Sequence, residues 1–484
     1  MIIKISSLFR SYLTCLFIIG IGILITMDSC GGNRNRSRSK DHAELLEEDK
    51  EYNDDEEEET ENDISTLKYE SLNFKLYLEN SGSMFAYDNP KTNGDFRNIV
   101  SGLLTHLPPL QNDTVIYVVN DNIYPFNKGI KEFLTERNFM QSVKDKGNIN
   151  YTDFQTIFTQ IEDSIQDNDV AILFSDLIYS LKNQQEVNPN QLVNEAKRIT
   201  EHVTKNHPDV QVKVIKFEAD YNGNYYPYNS PNKGVQYVGP RPFYVMIFAK
   251  SKAMDALQND PANENFRNFS KVPGYQDEYT FTNQNYKPFY TIVMKDYSKK
   301  GNVNKDDEKE EGKKGKYRKK KKSGLNNDTI LNGEKYSYIH SIDEMELDRN
   351  GELVMPIAIN LSGIPATPAY KTDLANYEVN SATGFKIISI KPIDSNIKEL
   401  GNATHIINLQ TKNRPKNETV KLKMRNELPR WIYQSNSDDD RETGSENFGV
   451  TTFGFGNMME GIYDAKIPSG EKAYYFEIPI YIEK

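Results

Sequence analysis

The sequence predicts an α/β module built on a mostly parallel sheet with helices on both faces, followed by an all-β, sandwich-like module. From residue 72 to about residue 262, apolar strand-like runs alternate with segments of helical periodicity, as in successive βαβ units. Beyond that point the helical period fades, and short strands are separated by Gly, Pro and Asn turns. We therefore assign residues 67–262 to an α/β domain and residues 263–484 to a β-rich domain.

The first module contains five strand-like segments and three clear helices. The strands are NFKLYLEN, DTVIYVVN, DVAILFSDLI, VQVKVIKFEA and PFYVMIFA, and the helices are DFRNIVSGLLTHL, DFQTIFTQIEDSI and PNQLVNEAKRITEHVTKNH. The second helix places Phe154, Ile157, Phe158 and Ile161 on one apolar face. In such a sheet the functional edge is expected where the parallel strands end at their carboxyl termini.

The second module is predicted from strands such as LVMPIAINL, FKIISIKPI, HIINLQTK and TVKLKMRN. A charged low-complexity insertion at residues 298–324 is expected to be disordered, because it offers almost no apolar surface to bury. Trp431, the only tryptophan, is expected to anchor the core of this module. TFGFGNMMEGIYDA, near the end of the chain, is interpreted as a turn that leads into a packing helix.

The N-terminal 66 residues predict targeting and spacing segments. Lys4 and Arg10 precede an apolar run at 13–26 that has the length of a signal peptide, and Cys30 follows within MDSCGG. This arrangement resembles a bacterial lipoprotein signal, which implies cleavage and lipidation at Cys30; an uncleaved N-terminal anchor is the alternative. Residues 31–66 are basic and then strongly acidic, which indicates a disordered tether between membrane and folded body.

Composition excludes several classes of site. The chain has two cysteines, Cys15 in the apolar run and Cys30, so a disulfide framework or a cysteine-based metal site is not expected in the folded body. The six histidines are scattered and form no zinc motif. The net charge of −11 comes largely from the acidic tract, and no nucleic-acid partner is predicted.

Oxygen-bearing side chains follow two of the predicted strands. Glu79, Ser81 and Ser83 lie in LENSGSM at the end of the first strand, and Asp176 lies in FSDL after the strand VAILF. Thr152 opens the helix between them. Hydroxyl and carboxylate oxygens are hard ligands, suited to Mg²⁺ or another divalent cation that keeps some of its waters.

This constellation resembles the von Willebrand factor A domain, a Rossmann-like fold, and its metal-ion-dependent adhesion site. The family pattern is an Asp-x-Ser-x-Ser loop followed by a distant threonine and a distant aspartate. The resemblance covers roughly residues 72–262. It implies that Ser81, Ser83 and Thr152 ligate the cation directly, that Glu79 and Asp176 act through water, and that an open position receives an acidic group of a protein partner.

Glu79 departs from the family pattern, because a glutamate stands where an aspartate is expected. Its carboxylate is one methylene further from the backbone, and a second-shell carboxylate tolerates little displacement. The sequence therefore leaves open whether the site holds a cation.

Together these patterns predict a non-enzymatic lipoprotein of the bacterial envelope that binds a protein partner through the cation edge. Two alternatives stay open. One is a metal-free scaffold in an envelope assembly. The other is a hydrolase at the same edge, with either Ser81 or Ser83 as nucleophile, or Glu79 and Asp176 as acid and base. The sequence does not identify the partner, the membrane face or the oligomeric state.

Overall fold

A computed structural model describes the folded body of the chain. The described residues are 71–105, 114–136, 138–180, 188–230, 233–293, 341–342, 347–397, 400, 402–414, 416–467 and 473–482. All of them belong to one compact unit, Leu67–Lys484. The predicted signal peptide at 1–30 with Cys30, the tether at 31–66 and the insertion at 298–324 lie outside the described residues.

A seven-stranded sheet with the order β3-β2-β1-β4-β6-β5-β7 forms the centre of the α/β part. Its strands are β1 Asn73–Glu79, β2 Val115–Val119, β3 Ile123–Phe126, β4 Asp169–Ser175, β5 Val210–Tyr225, β6 Val235–Lys250 and β7 Tyr275–Phe281. β1 pairs in parallel with β2 and with β4, and the remaining four pairs are antiparallel. Parallel pairing is thus found in the centre of the sheet, at the strands that carry the predicted site.

The antiparallel flank follows from a long hairpin. β5 and β6 pair with each other along sixteen residues each, and β6 takes the position next to β4. β5 therefore runs in the same direction as β4, but β6 separates the two strands. β6 pairs with β4 only from residue 244 to residue 249. The part of the hairpin that includes residues 235–243 therefore projects past the carboxyl end of β4.

Helices cover both faces of this sheet. They are α1 Asp95–Thr105, α2 Ile130–Thr135, α3 Phe139–Ser142, α4 Phe154–Asp163, α5 Pro189–Asn206, α6 Ser251–Asn259 and α7 Glu264–Arg267. Residues of α1 and α6 join the apolar core on one face, and residues of α4 and α5 join the core on the other. Every residue of β4 is buried, because this strand is covered on both sides. None of the helices in the described part of the chain has the length and apolar character needed to cross a bilayer.

Local sequence explains where the helices begin. The Asp153 side chain caps α4 by accepting a hydrogen bond from the Thr156 amide at 3.0 Å. Asn188 caps α5 in the same way, with Pro189 at the first helical position, where its missing N–H costs nothing. The predicted apolar face of α4 is buried against the sheet.

The later part of the chain forms two four-stranded sheets, with the orders β12-β13-β10-β8 and β11-β14-β17-β9. Their strands are β8 Tyr290–Ile292, β9 Ser341–Ile342, β10 Leu353–Ile359, β11 Tyr377–Asn380, β12 Lys386–Ile397, β13 Ala403–Thr411, β14 Glu418–Arg425 and β17 Tyr474–Ile482. All pairs are antiparallel except β9–β17. Side chains of both sheets share one apolar cluster, which is the arrangement of a β-sandwich.

Between β14 and β17 the chain leaves the sandwich and packs on the seven-stranded sheet. This stretch holds the short parallel pair β15 Asn436–Ser437 and β16 Thr452–Phe453, and the helices α9 Arg430–Gln434 and α10 Phe455–Lys466; α8 Pro368–Thr372 precedes it. α10 begins after Gly454, whose φ of 73° favours glycine, so the predicted turn and packing helix are confirmed.

α10 lies very close to α5 because Gly461 sits at the crossing. A Cβ atom at Gly461 would lie only 2.1 Å from Thr200 Oγ1 and 2.2 Å from the Lys197 carbonyl oxygen. Thr200 Oγ1 also donates to the Met458 carbonyl at 2.8 Å. The two parts of the chain are therefore joined by direct helix packing.

Candidate functional site

The predicted site residues meet at the carboxyl ends of β1 and β4. α1 follows β1 on one face of the sheet and α5 follows β4 on the other, so the chain changes face between these neighbouring strands. In α/β sheets such a switch point leaves a crevice outside the strand ends where ligands bind. A small cleft of about 80 Å³ opens here, lined by Glu79, Ser81, Ser83 and Thr152 among others.

The carboxylate of Glu79 lies at the base of the cleft. Thr152 Oγ1 donates to one of its oxygens and Ser175 Oγ to the other. Glu79 and Thr152 are each 1% exposed and Ser175 is fully buried. The hydroxyl groups thus support the longer glutamate side chain from both sides. Ser175 was missed by the sequence reasoning, although it is the last residue of β4 and immediately precedes Asp176.

Ser81 and Ser83 form the opposite wall of the cleft. Their hydroxyl oxygens lie 3.2 Å apart, within hydrogen-bond distance of each other. The loop that carries them is held by the Gly82 amide, which donates to the Ile149 carbonyl at 2.8 Å. Each serine keeps a small exposed fraction, 8% and 7% respectively, so their oxygens border both the cleft and the buried carboxylate.

Two asparagines beneath the loops position this wall, and the sequence reasoning did not find them. Asn80 donates to the Val143 carbonyl at 2.8 Å, and its own carbonyl oxygen accepts from Asn120 Nδ2 at 2.8 Å. Asn120 also donates to the Lys146 carbonyl at 2.8 Å. Both side chains are fully buried. They directly follow β1 and β2, so the strand-end position was the signal that pointed to them.

Asp176 lies immediately beyond β4 and is 1% exposed. Its Oδ1 accepts a hydrogen bond from the Ile178 amide at 3.1 Å. Its Oδ2 is buried and accepts no hydrogen bond of good geometry among the described residues, although the Ser83 hydroxyl lies close enough to influence the carboxyl. A buried carboxylate oxygen without a partner is costly. The site therefore contains an acceptor that a bound cation or its water would satisfy.

The backbone next to Asp176 is strained. Leu177 has a φ of 51°, in the left-handed region that branched and bulky side chains avoid. Its amide donates to Ser175 Oγ at 2.8 Å, which holds this conformation in place. Such strained residues concentrate at binding and catalytic sites, because the surrounding structure must stabilise them for a purpose other than folding.

Burial of the Glu79 and Asp176 carboxyl groups raises the pKa of each and so favours their protonation in the absence of a cation. Burial raises the pKa of Glu79, the nearby charge of Asp176 raises it further, and the hydroxyls of Ser175, Thr152 and Ser81 act in the opposite direction. Burial also raises the pKa of Asp176, against the opposing effects of the Ser83 hydroxyl and the Arg241 charge. Neither carboxylate forms an ion pair within the described part of the chain.

The donor set fits a hard divalent cation. Ser81, Ser83, Thr152 and the Glu79 carboxylate line the cleft, whereas Asp176 is buried outside its lining. Magnesium is typically held by few carboxylates while keeping several waters. The described residues contain no group of three or more His, Cys, Asp or Glu side chains that could hold a metal ion. A cation at this edge would therefore depend on the hydroxyls of Ser81, Ser83 and Thr152.

Tyrosines of the β5–β6 connection close one side of the cleft. Tyr226 and Tyr228 belong to its lining, and a Cβ atom at Gly82 would lie 3.1 Å from the Tyr226 ring. The cleft is therefore bordered by aromatic rings as well as by oxygen ligands.

Comparisons of the chain with models of protein families, with curated proteins and with solved structures found no match.

Proposed function

We propose that the protein binds a partner protein through a divalent cation held at the carboxyl ends of β1 and β4. The observation that carries the proposal is the buried Oδ2 of Asp176, which has no hydrogen-bond partner among the described residues and whose carboxyl is influenced by the hydroxyl of Ser83, a residue of the oxygen-lined cleft. A cation would neutralise the two buried carboxylates, and an open coordination position would accept a carboxylate of the partner. On this proposal the α/β part is a von Willebrand factor A-like module with a modified adhesion site.

The chemistry at the cleft favours binding over hydrolysis. A serine nucleophile needs an adjacent base, and the lining of the cleft contains no histidine. The volume of about 80 Å³ also suits a hydrated cation and a single carboxylate better than an organic substrate. We therefore do not propose a hydrolase.

A metal-free scaffold is the second candidate, and the hydrogen bonds of Glu79 favour it. Thr152 and Ser175 already donate to both carboxylate oxygens, and the raised pKa allows Glu79 to exist as a neutral acid. In that state the cleft would be a buried structural network, and the α/β part would contribute only its shape to an assembly.

Cation dependence separates these two candidates. We expect Mg²⁺ or Mn²⁺ to raise the melting temperature, because an ion at 100 times its Kd contributes about 2.7 kcal/mol to the free energy of unfolding. Ser81→Ala and Asp176→Ala should abolish the shift, whereas the exposed controls Ser270→Ala and Asp438→Ala should keep it. Glu79→Asp should increase the shift by restoring the shorter carboxylate.

An unchanged shift in Ser81→Ala and Asp176→Ala would place the cation elsewhere and refute the site. If no divalent cation changes the melting temperature, the scaffold becomes the better account. A pull-down from envelope extract should then recover the same partner with chelator and without it.

We further propose that the folded body is held at a bacterial membrane through lipidated Cys30, with residues 31–66 as the tether; either membrane face is compatible with the sequence. In cells fed labelled palmitate, the full chain should incorporate the label and Cys30→Ser should not. Cys15→Ser is the matched control, since Cys15 belongs to the segment expected to be removed. Label retained in Cys30→Ser would rule out this anchor.

A further inference from the structure

A second and larger cleft lies between the seven-stranded sheet and the sandwich. Four stretches of chain surround it: β7, the α8 segment, the turn from β14 into α9, and the start of β17. Its volume is about 590 Å³, within the range of pockets that bind small organic ligands. It shares no lining residue with the cation cleft, so its function is independent of the proposed cation site.

Aromatic side chains form much of its apolar surface. Tyr279 and Tyr475 are buried at its base, and Tyr370 and Trp431 are half-buried at its walls. The hydroxyl of Tyr279 donates to Asn426 Oδ1 at 2.7 Å and that of Tyr370 donates to a carbonyl at 2.9 Å. Because these hydroxyls are already engaged, the aromatic residues contribute mainly ring surface to the cleft.

Trp431 does not anchor the sandwich core, contrary to the expectation from the sequence. Its ring stacks on Phe455 of α10 at a centroid distance of 6.0 Å, and it packs against the core of the seven-stranded sheet. Its indole Nε1–H is covered and has no acceptor among the described residues. Trp431 therefore joins that core and borders the cleft at the same time.

Charged side chains of both signs line the cleft. Four residues contribute carboxylates and two contribute guanidinium groups: Asp277, Glu278, Asp373 and Glu427, and Arg425 and Arg430. Glu278 forms an ion pair with Lys213 at 2.9 Å, whereas the Arg425 and Glu427 side chains approach no closer than 3.7 Å. A strongly charged ligand of either sign would meet like charges here, whereas a neutral ligand would not.

Hydroxyl groups of a ligand would match this lining, because each hydroxyl can both donate and accept hydrogen bonds. A ligand hydroxyl can donate to a carboxylate of the cleft and accept from a guanidinium group. A carboxylate ligand can only accept, and an ammonium ligand can only donate. The volume of about 590 Å³ accommodates one or two sugar rings. We propose that this cleft binds a neutral mono- or disaccharide.

The single tryptophan gives a direct assay for this proposal. We expect saturable changes in Trp431 fluorescence when the full chain is titrated with at least one of cellobiose, maltose, lactose or N,N′-diacetylchitobiose. The titration should be unaffected by chelator, because the cation cleft is separate. This independence distinguishes failure of the saccharide site from failure of the proposed cation site.

Variants then locate the site by calorimetry. Arg430→Ala and Glu427→Gln should each weaken binding about tenfold or more, since each removes a hydrogen bond to a charged group. Arg414→Ala is the matched control, because Arg414 is exposed and outside the cleft, and should bind as the unmodified protein does.

The proposal is overturned if none of the four saccharides gives a saturable change. It is equally overturned if both cleft variants bind with unchanged affinity, or if only a neutral capped tetrapeptide such as acetyl-Ala₄-amide binds, which would make the cleft a peptide site.

Discussion

Two buried clusters of charge lie beside each other in the α/β part, and they are stabilised in different ways. Arg241 on β6 is fully buried, yet its guanidinium donates to the Phe448 carbonyl at 2.7 Å and to the Thr451 carbonyl at 3.2 Å. It also lies 4.6 Å and 4.3 Å from the ring centroids of Tyr225 and Phe448. Glu79 and Asp176 are equally buried, but they share only hydroxyl and amide donors.

The way in which each cluster is stabilised indicates whether it serves the fold or a binding site. The Arg241 cluster joins the β5–β6 hairpin to the stretch before β16. Two carbonyls and two aromatic rings compensate its charge, and its Nε alone has no hydrogen-bond partner among the described residues. In the carboxylate pair, Asp176 Oδ2 has no donor among the described residues, and the neighbouring Leu177 has a strained backbone. The first arrangement is that of a structural clamp, and the second is that of a site completed by something from outside.

Removal of the Arg241 guanidinium should cause the largest change in the free energy of unfolding. We expect Arg241→Ala to lower the free energy of unfolding by about 3–5 kcal/mol, because it leaves two carbonyls unpaired and opens a cavity. Arg241→Lys should also destabilise, since an ammonium group does not reproduce the planar guanidinium between two rings. Urea denaturation followed by circular dichroism measures both changes.

Arg441→Ala is the matched control for the clamp. Arg441 is exposed and pairs only with Asp439 among the ionic partners in the described chain, so we expect no measurable loss. If Arg241→Ala were as mild as Arg441→Ala, the Arg241 cluster would not be a clamp and the contrast with the carboxylate pair would collapse.

The sequence allowed prediction of those parts of the fold that depend on local pattern. β1, β4 and α4 follow from apolar periodicity, and the position of Glu79 and Asp176 at neighbouring strand ends follows from parallel pairing. The place of β6 between β4 and β5 could not be predicted in this way. It depends on hairpin pairing across a connection of nine residues, 226–234, and an apolar strand pattern does not specify its neighbour.

Long-range contacts explain the other gaps. The two hydrogen-bond partners of Arg241 are backbone carbonyls more than 200 residues away, and carbonyls leave no trace in a sequence. Trp431, the only tryptophan, was expected to anchor the core of the second module, but after β14 the chain turns towards the seven-stranded sheet. Ser175 could have been weighed with Asp176, yet only the structure shows that its hydroxyl reaches Glu79.

The last prediction concerns the protonation of Glu79, whose effect is spread over several pH units. A carboxyl with a pKa raised by folding stabilises the folded state most below its unfolded pKa, near 4.5, and this contribution is lost as the pH rises through the folded pKa. Without divalent cations, the free energy of unfolding should therefore fall as the pH increases above about 5, by at most about 1.4 kcal/mol per pH unit for one proton.

Glu79→Gln should remove this part of the pH dependence, because the amide stays neutral while it keeps the size of the side chain. Glu162→Gln is the control: burial raises the pKa of Glu162 to about 7, but this residue contacts Thr204, away from the cleft. A saturating divalent cation favours ionised Glu79, so it should flatten the plot of unfolding free energy against pH for the unmodified protein and for Glu162→Gln. The slope of this plot for Glu79→Gln should stay nearly unchanged. Equal slopes with and without cation would show that the carboxylate pair is a closed structural network like the Arg241 cluster, and the contrast between a clamp and an open site would no longer hold.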